Sequence, residues 1–258
     1  MYSFMQYFDL TMEIPKMLGW YHLMWLGILF VSVVSFYIKF RNTSDKTNKK
    51  IIIVFTIIFF LLETYKQINY TLSAGHYQWY VFPFQFCSIP LYLLPIMIFL
   101  KEGKLKNIFY EFIATFIFVA GISVMIYPES VYTDSLGINL QTMIHHSMMV
   151  IIALYVIFSG RAKLTVKGFF NAVLVFLAFV FIADMMNIIF HNFIIPDHDF
   201  NMFMISPYYP NNMPLLMTLK EKTHYMIFLL AYLLSFSLLA FIAFTIGHGI
   251  QKLNKKCN

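Results

Sequence analysis

Charge is scarce in this chain. Asp, Glu, Lys and Arg make up 12% of its 258 residues, against 60% hydrophobic and 19% aromatic, and the mean hydropathy is +0.72. A soluble globular domain carries about 25% charged residues, so the composition excludes that class and points to an integral membrane protein. Cysteine is scarcer still: Cys87 and Cys257 are the whole complement, which excludes a disulfide framework and a Cys-rich metal motif. The sequence also lacks an HExxH spacing, a low-complexity tract, a clear internal repeat and a soluble domain. No basic stretch precedes a short apolar run at the N-terminus, so no cleavable signal peptide is expected.

Long apolar runs are abundant. A bilayer crossing needs roughly 20 apolar residues, and seven such stretches occur, near 17–40, 51–72, 81–100, 107–128, 141–160, 169–192 and 224–247. The expected fold is all-α: one polytopic membrane domain over 1–258, a bundle of seven transmembrane helices. Every second connection is basic. Lys39, Arg41, Lys46, Lys49 and Lys50 follow the first span, Lys101, Lys104 and Lys106 the third, and Arg161, Lys163 and Lys167 the fifth; Lys252, Lys255 and Lys256 follow the seventh. That is fourteen of 18 basic residues on one side. The positive-inside rule then predicts an outside N-terminus and a cytoplasmic C-terminus, with the chain in the cell membrane. The same rule, with anionic headgroups, accounts for the net charge of +6 without a nucleic-acid partner. Cys87 and Cys257 then lie near opposite faces and cannot pair. Segment 193–223, outside, is broken by Pro196, Pro207, Pro210 and Pro214 yet carries Phe203, Met204, Tyr208, Tyr209, Leu215 and Leu216. It lies on the outer interface or folds over the mouth of the bundle.

The polar residues inside the spans share one depth. At about 1.5 Å per residue, His22, Cys87, His145 and His146 all fall roughly 6–9 Å below the outer boundary. Gln85 lies just above Cys87. Glu63, Lys66 and Asn69 end the second span, Asp184, Asn187 and His191 end the sixth, and His224 and Tyr225 open the seventh. Almost nothing polar occupies the inner half. Burying charge in hydrocarbon costs several kcal/mol unless it is paired or hydrated, so one shared depth implies an outward-opening polar cavity and hence a candidate site. Asp184, Asn187 and His191 recur along one helical face, and Glu63 and Lys66, one turn apart, suit an internal ion pair. Pro90 denies the Phe86 carbonyl its helical donor, so the third span should loosen or bend beside Cys87.

Three chemistries suit these groups. In the first, Cys87 attacks a lipid ester, with His145 or His146 as base; the two imidazoles diverge by about 100° around the helix, so only one can face the thiol. In the second, His22, His145, Asp184, His191 and His224 hold a zinc ion that activates water. In the third, the cavity binds a solute, as in a transporter or receptor, although no inverted repeat or matching pair of broken spans is evident.

The run Phe82-Pro83-Phe84-Gln85-Phe86-Cys87-Ser88-Ile89-Pro90-Leu91-Tyr92 resembles the signature of the YwaF-like bacterial membrane proteins, which are similar to animal transmembrane protein 164. His22, Pro128, the His145-His146 pair and Asn187 add to the likeness, which covers nearly the whole chain. The resemblance implies an acyltransferase working through an acyl-cysteine intermediate, with phospholipids as substrates and no cofactor. It places the nucleophile at Cys87 and its partner histidine at His145. Asp184, Asn187 and His22 are expected to orient the histidine or bind the headgroup, with Gln85, His146 and His191 in support. The chain departs from the family pattern at Gln85, where a histidine is usual.

Overall fold

The computed structural model describes residues 10–196, 198–210, 213 and 216–256. Cys257, Pro214 and Leu215, singled out above, lie outside them. The helices are α1 Trp20–Phe40, α2 Asp45–Ala74, α3 Pro90–Phe99, α4 Lys104–Ile126, α5 Leu136–Phe158, α6 Val166–Ile194, α7 Leu216–Lys222 and α8 Tyr225–Lys256. All of these except α3 and α7, six helices, are long and apolar enough to cross a membrane. Their limits follow local chemistry. Ser44, Ser135 and Thr165 precede α2, α5 and α6, each accepting a hydrogen bond from a backbone N–H three residues on, as N-cap side chains do. Gly75, at φ +77°, closes α2 in the left-handed conformation that glycine adopts without penalty.

Burial ranks the helices. In α5, 83% of the apolar stretch is buried, against 11% in α1. So α5 is the axis of the bundle and α1 a peripheral helix whose Phe30, Val31 and Ile38 face outward. A polar side chain on α5 is therefore enclosed by protein, and Gln141, Thr142, His145, His146 and Ser147 are all buried there. Gly121 lets α4 approach closely: a Cβ at that position would lie 2.8 Å from Met149 Cβ and 3.0 Å from the His146 carbonyl oxygen on α5.

The third apolar stretch differs from its sequence expectation. It is not one helix over 81–100. A 3-10 turn at Trp79–Val81 is followed by extended chain, a second 3-10 turn at Phe86–Ser88, and only then the ten residues of α3. Ten residues rise about 15 Å, half the hydrocarbon thickness. Proline explains the difference: Pro83 disfavours helix just before it, and Pro90 occupies the first helical position, where its missing N–H costs nothing. The expected bend at Pro90 is thus a helix start, and Cys87 sits on non-helical backbone. Such backbone is tolerated within a membrane protein only where other protein covers it. The cover comes from the proline-broken 198–210 segment, where Phe200, Met202, Phe203, Ile205 and Ser206 are buried. Phe200 packs on Phe82, and Phe203 on Phe84 and Phe86. Of the two readings of this segment, it folds over the bundle.

The basic connections gather at one end. Arg161 pairs with Asp45 and donates to the Thr43 carbonyl, joining two of those connections. Gln251 of α8 reaches the carbonyls of Ile157 and Ala162. Cys87 and the segment that covers it lie at the other end.

Candidate functional site

Cys87 and His145 meet, through an atom the sequence could not single out. His145 Nε2 lies 3.0 Å from the Cys87 carbonyl oxygen. A carbonyl only accepts, so Nε2 carries the proton and Nδ1 keeps its lone pair. That Nδ1 is buried and has no hydrogen-bond partner. The sulfur is four covalent bonds from the carbonyl oxygen, so thiol and imidazole share one neighbourhood, although no hydrogen bond joins Sγ to the ring. The carbonyl is available because α3 begins only at Pro90. Phe59 holds the imidazole edge-on, with ring centroids 4.8 Å apart. Cys87 itself is half-buried and is a free thiol.

Beside this pair lies a charged cluster from the last turns of α2. Glu63 and Lys66 form the anticipated ion pair, at 2.9 Å. Gln67 Nε2 donates to Glu63 Oε1 and to the Val81 carbonyl, each at 2.7 Å, tying the ion pair to the irregular segment. The pair is close enough to act electrostatically on Cys87, and Lys66 on both histidines. Gln67 Oε1 is buried without a hydrogen-bond partner, and the Ser88 hydroxyl interacts with the Cys87 thiol. Buried polar groups in native proteins are nearly always satisfied. The lone pairs of His145 Nδ1 and Gln67 Oε1 are therefore open to water or to a polar ligand near the partly buried Cys87. Sequence reading passed over Gln67 and Ser88; the i, i+4 spacing from Glu63 is the signal that would have found Gln67.

The remaining candidates do other work. His146 Nδ1 donates to the Thr142 carbonyl one turn back on its own helix. In His22, Nδ1 accepts from Leu18 N while Nε2 donates to the Met125 carbonyl at 2.8 Å, so the ring ties α1 to the end of α4 with both nitrogens used. Asn187, fully buried, grips one residue of the covering segment twice: Nδ2 donates to the Met202 carbonyl at 3.0 Å and Oδ1 accepts from Met202 N at 2.7 Å. Gln85 Nε2 donates to the Asn201 carbonyl. His191 stacks on Tyr208 and donates to the Tyr209 hydroxyl. Asp184 accepts from the Tyr225 hydroxyl. None of these four hydrogen-bonds His145, so the expectation that Asp184 or Asn187 orients it is replaced by a grip on the covering segment and on α8. Among the described residues no three His, Cys, Asp or Glu side chains converge as metal ligands would; the zinc set of His22, His145, Asp184, His191 and His224 is dispersed.

Two consecutive residues past that grip, Phe203 and Met204, hold φ of +56° and +55°. Such angles cost a non-glycine residue about 1–2 kcal/mol and persist only where the surroundings impose them. Here burial of Phe203 and the Asn187 bonds do so.

The sequence profile of the TMEM164 family matches residues 17–250, which takes in every helix that could cross a membrane, the Cys87 segment and its cover. The chain belongs to the TMEM164 family. No curated protein and no solved structure shows a significant match to it.

Proposed function

We propose that this member of the family is an acyltransferase that moves a fatty acyl chain between membrane lipids through a thioester on Cys87. In this reading the chain crosses the cell membrane seven times, the third crossing being completed by the irregular 79–89 segment, with its N-terminus outside and its C-terminus in the cytoplasm. The site then faces the outer leaflet, and phospholipids are donor and acceptor.

The observation that carries the reading is the buried, unpartnered Nδ1 of His145 beside Cys87. A general base needs a free lone pair in the neighbourhood of the proton it removes. The Nε2 bond to the Cys87 carbonyl locks the tautomer that supplies one. Nδ1 takes the thiol proton as Sγ attacks the ester carbonyl carbon of the donor lipid. Collapse of the tetrahedral adduct breaks the ester C–O bond, and the leaving alkoxide takes the proton from His145. The acceptor hydroxyl then repeats the sequence in reverse: it gives its proton to Nδ1, attacks the thioester and releases the thiolate, which recovers that proton. Lys66 and the Ser88 hydroxyl favour the negative charge that develops on the sulfur and on the carbonyl oxygen. The segment around Met202 keeps water from the thioester and lifts to admit lipid.

The test uses the purified full chain in vesicles holding a phospholipid with an alkyne-tagged acyl chain. The expected result is a hydroxylamine-labile tag on Cys87 that is absent in Cys87→Ala. A tag that maps to another residue, or no tag on a folded wild-type chain offered several lipid classes, would sink the reading.

A further inference from the structure

At the end remote from Cys87, a cavity of about 630 Å³ opens between the end of α1, the end of α5, the 159–165 connection and the last turns of α8. Its charged lining is of one sign: Arg41, Lys163 and Lys252, with no carboxylate. At this end Arg161 is neutralised by Asp45 and Lys106 by Glu102, and neither lines the cavity. The three cavity cations, all exposed, form no direct ion pair among the described residues, and Lys163 alone feels a nearby carboxylate, that of the buried Glu111.

The wall is arranged so that little opposes an anion. The last turn of a helix leaves carbonyls without intrahelical donors, and these carry partial negative charge. Here Gln251 Nε2 donates to the carbonyls of Ile157 and Ala162, and His248 Nδ1 to that of Leu164. The side chains of Ile157 and Leu164 add an apolar floor. Unpaired cations over capped carbonyls and an apolar floor suit a phosphate attached to something greasy, although a free phosphate satisfies the same charges.

We propose that this cavity is a phosphate-binding site, independent of the chemistry at Cys87, in which Arg41, Lys163 and Lys252 hold the anion. The full chain, in nanodiscs of neutral phosphatidylcholine, is titrated in separate arms with phosphatidylglycerol and with inorganic phosphate, and thermal unfolding is followed. Stabilisation in either arm that weakens at least about tenfold in apparent affinity in the triple variant Arg41→Gln, Lys163→Gln, Lys252→Gln supports the site. The arm that responds identifies a lipid headgroup or a free anion as the source. A charge-keeping triple, Arg41→Lys, Lys163→Arg, Lys252→Arg, should retain binding, which separates lost charge from lost fold. The control neutralises Lys46, Lys49 and Lys50, exposed at the same end but outside the cavity. If that control loses as much as the cavity triple, the effect is general surface attraction and the proposal fails. It fails equally if neither ligand stabilises the wild type, or if both do so unaltered in the cavity triple.

Discussion

The two ends of the bundle treat buried polarity in opposite ways. At the basic end polar groups are linked in series: Thr43 donates to the Tyr155 hydroxyl, Tyr155 to Asn48 Oδ1, and Asn48 Nδ2 to the Tyr110 hydroxyl. At the Cys87 end several are linked, as at Asn187 and His22, but others are left open. Among the described residues, the buried side-chain polar atoms with no hydrogen-bond partner sit on Tyr21, Trp25, Glu63, Gln67, Ser88, Tyr132, His145 and Tyr232. All of these lie in the Cys87 half; Glu63 is compensated by Lys66, the Tyr21 hydroxyl interacts with the Trp25 side chain and the Ser88 hydroxyl with the Cys87 thiol, which leaves Gln67, Tyr132, His145 and Tyr232. Leaving a buried group unsatisfied costs about 1–3 kcal/mol. The Cys87 end therefore has buried polar atoms open to water or to a ligand. The closed end should therefore govern stability, and the open end activity.

The sharpest way to break this comparison is a pair of substitutions. His145→Gln removes the proposed base and should slow the proposed acyl transfer by about 10²–10⁴-fold while leaving the melting temperature nearly unchanged. Asn48→Leu should do the reverse. It strands the Tyr110 hydroxyl and takes the acceptor from Tyr155, which keeps its Thr43 bond, costing about 1–3 kcal/mol, with little effect on transfer in the folded fraction. His146→Gln distinguishes the neighbouring imidazoles: His146 is committed to its own helix, so its loss should slow transfer by less than about tenfold. A lipid-tag assay and a thermal melt on each variant decide the matter. Equal rate losses at the two histidines would remove the special place of His145.

The next largest effect concerns the cover over the open end. Asn187→Leu leaves the Met202 N–H and carbonyl buried without partners, at about 2–3 kcal/mol, and releases the strain at Phe203 and Met204. The expected result is faster proteolysis within 198–210 at native temperature, with the bundle still folded. Unchanged cleavage would mean that aromatic packing on Phe82, Phe84 and Phe86 alone holds the segment.

What the sequence revealed followed from its strongest physical signals. Hydropathy located the six long helices to within a few residues at most of their ends, because crossing a bilayer tolerates no polar interruption. Depth counting brought Cys87 and His145 together because both lie a known number of residues from a boundary. It could not show that the contact runs through the Cys87 carbonyl, since that depends on the chain leaving helical form before Pro90. A proline within an apolar run suits a kink and a helix start alike, and here Pro90 starts α3. Asn187 and His191 shared a face with Asp184 as expected, yet their partners, Met202 and Tyr208, lie in a proline-broken segment with no periodicity to read. The i+4 relation of Gln67 to Glu63 was present and overlooked.

A smaller effect is expected at the α4–α5 contact, which connects the open end to the axis of the bundle. Gly121→Ala places a methyl group against Met149 Cβ and the His146 carbonyl. Overpacking of this kind costs about 1–3 kcal/mol, and backbone is slow to yield. The variant should melt lower and also transfer acyl chains more slowly, because the displaced backbone carries His145. A lower melting temperature with an unaltered rate would show that the contact is purely structural.

The smallest effect is a pH dependence of the cover. Lys220, in α7, donates to the carbonyls of Ser206 and Tyr209 and lies over the Phe228 ring. Burial pushes its ammonium down from 10.5 to about 8. Between those two values the released segment holds a proton that the docked segment has given up, so docking is favoured as pH rises through the window. Below about 8 both forms carry the charge and the full cost of burying it; above 10.5 both are neutral and the cost is gone. Proteolysis of 198–210 should accordingly slow between pH 7.5 and pH 9.5, by a modest factor because the side chain is only half-buried. Lys220→Met keeps the apolar stem and removes the titration, so the ratio of wild-type to variant cleavage at each pH cancels the protease's own profile. A ratio that rises with pH would mean that the two carbonyls and the ring hold the cation more strongly than burial opposes it, and the cover would then be fastened by charge rather than in spite of it.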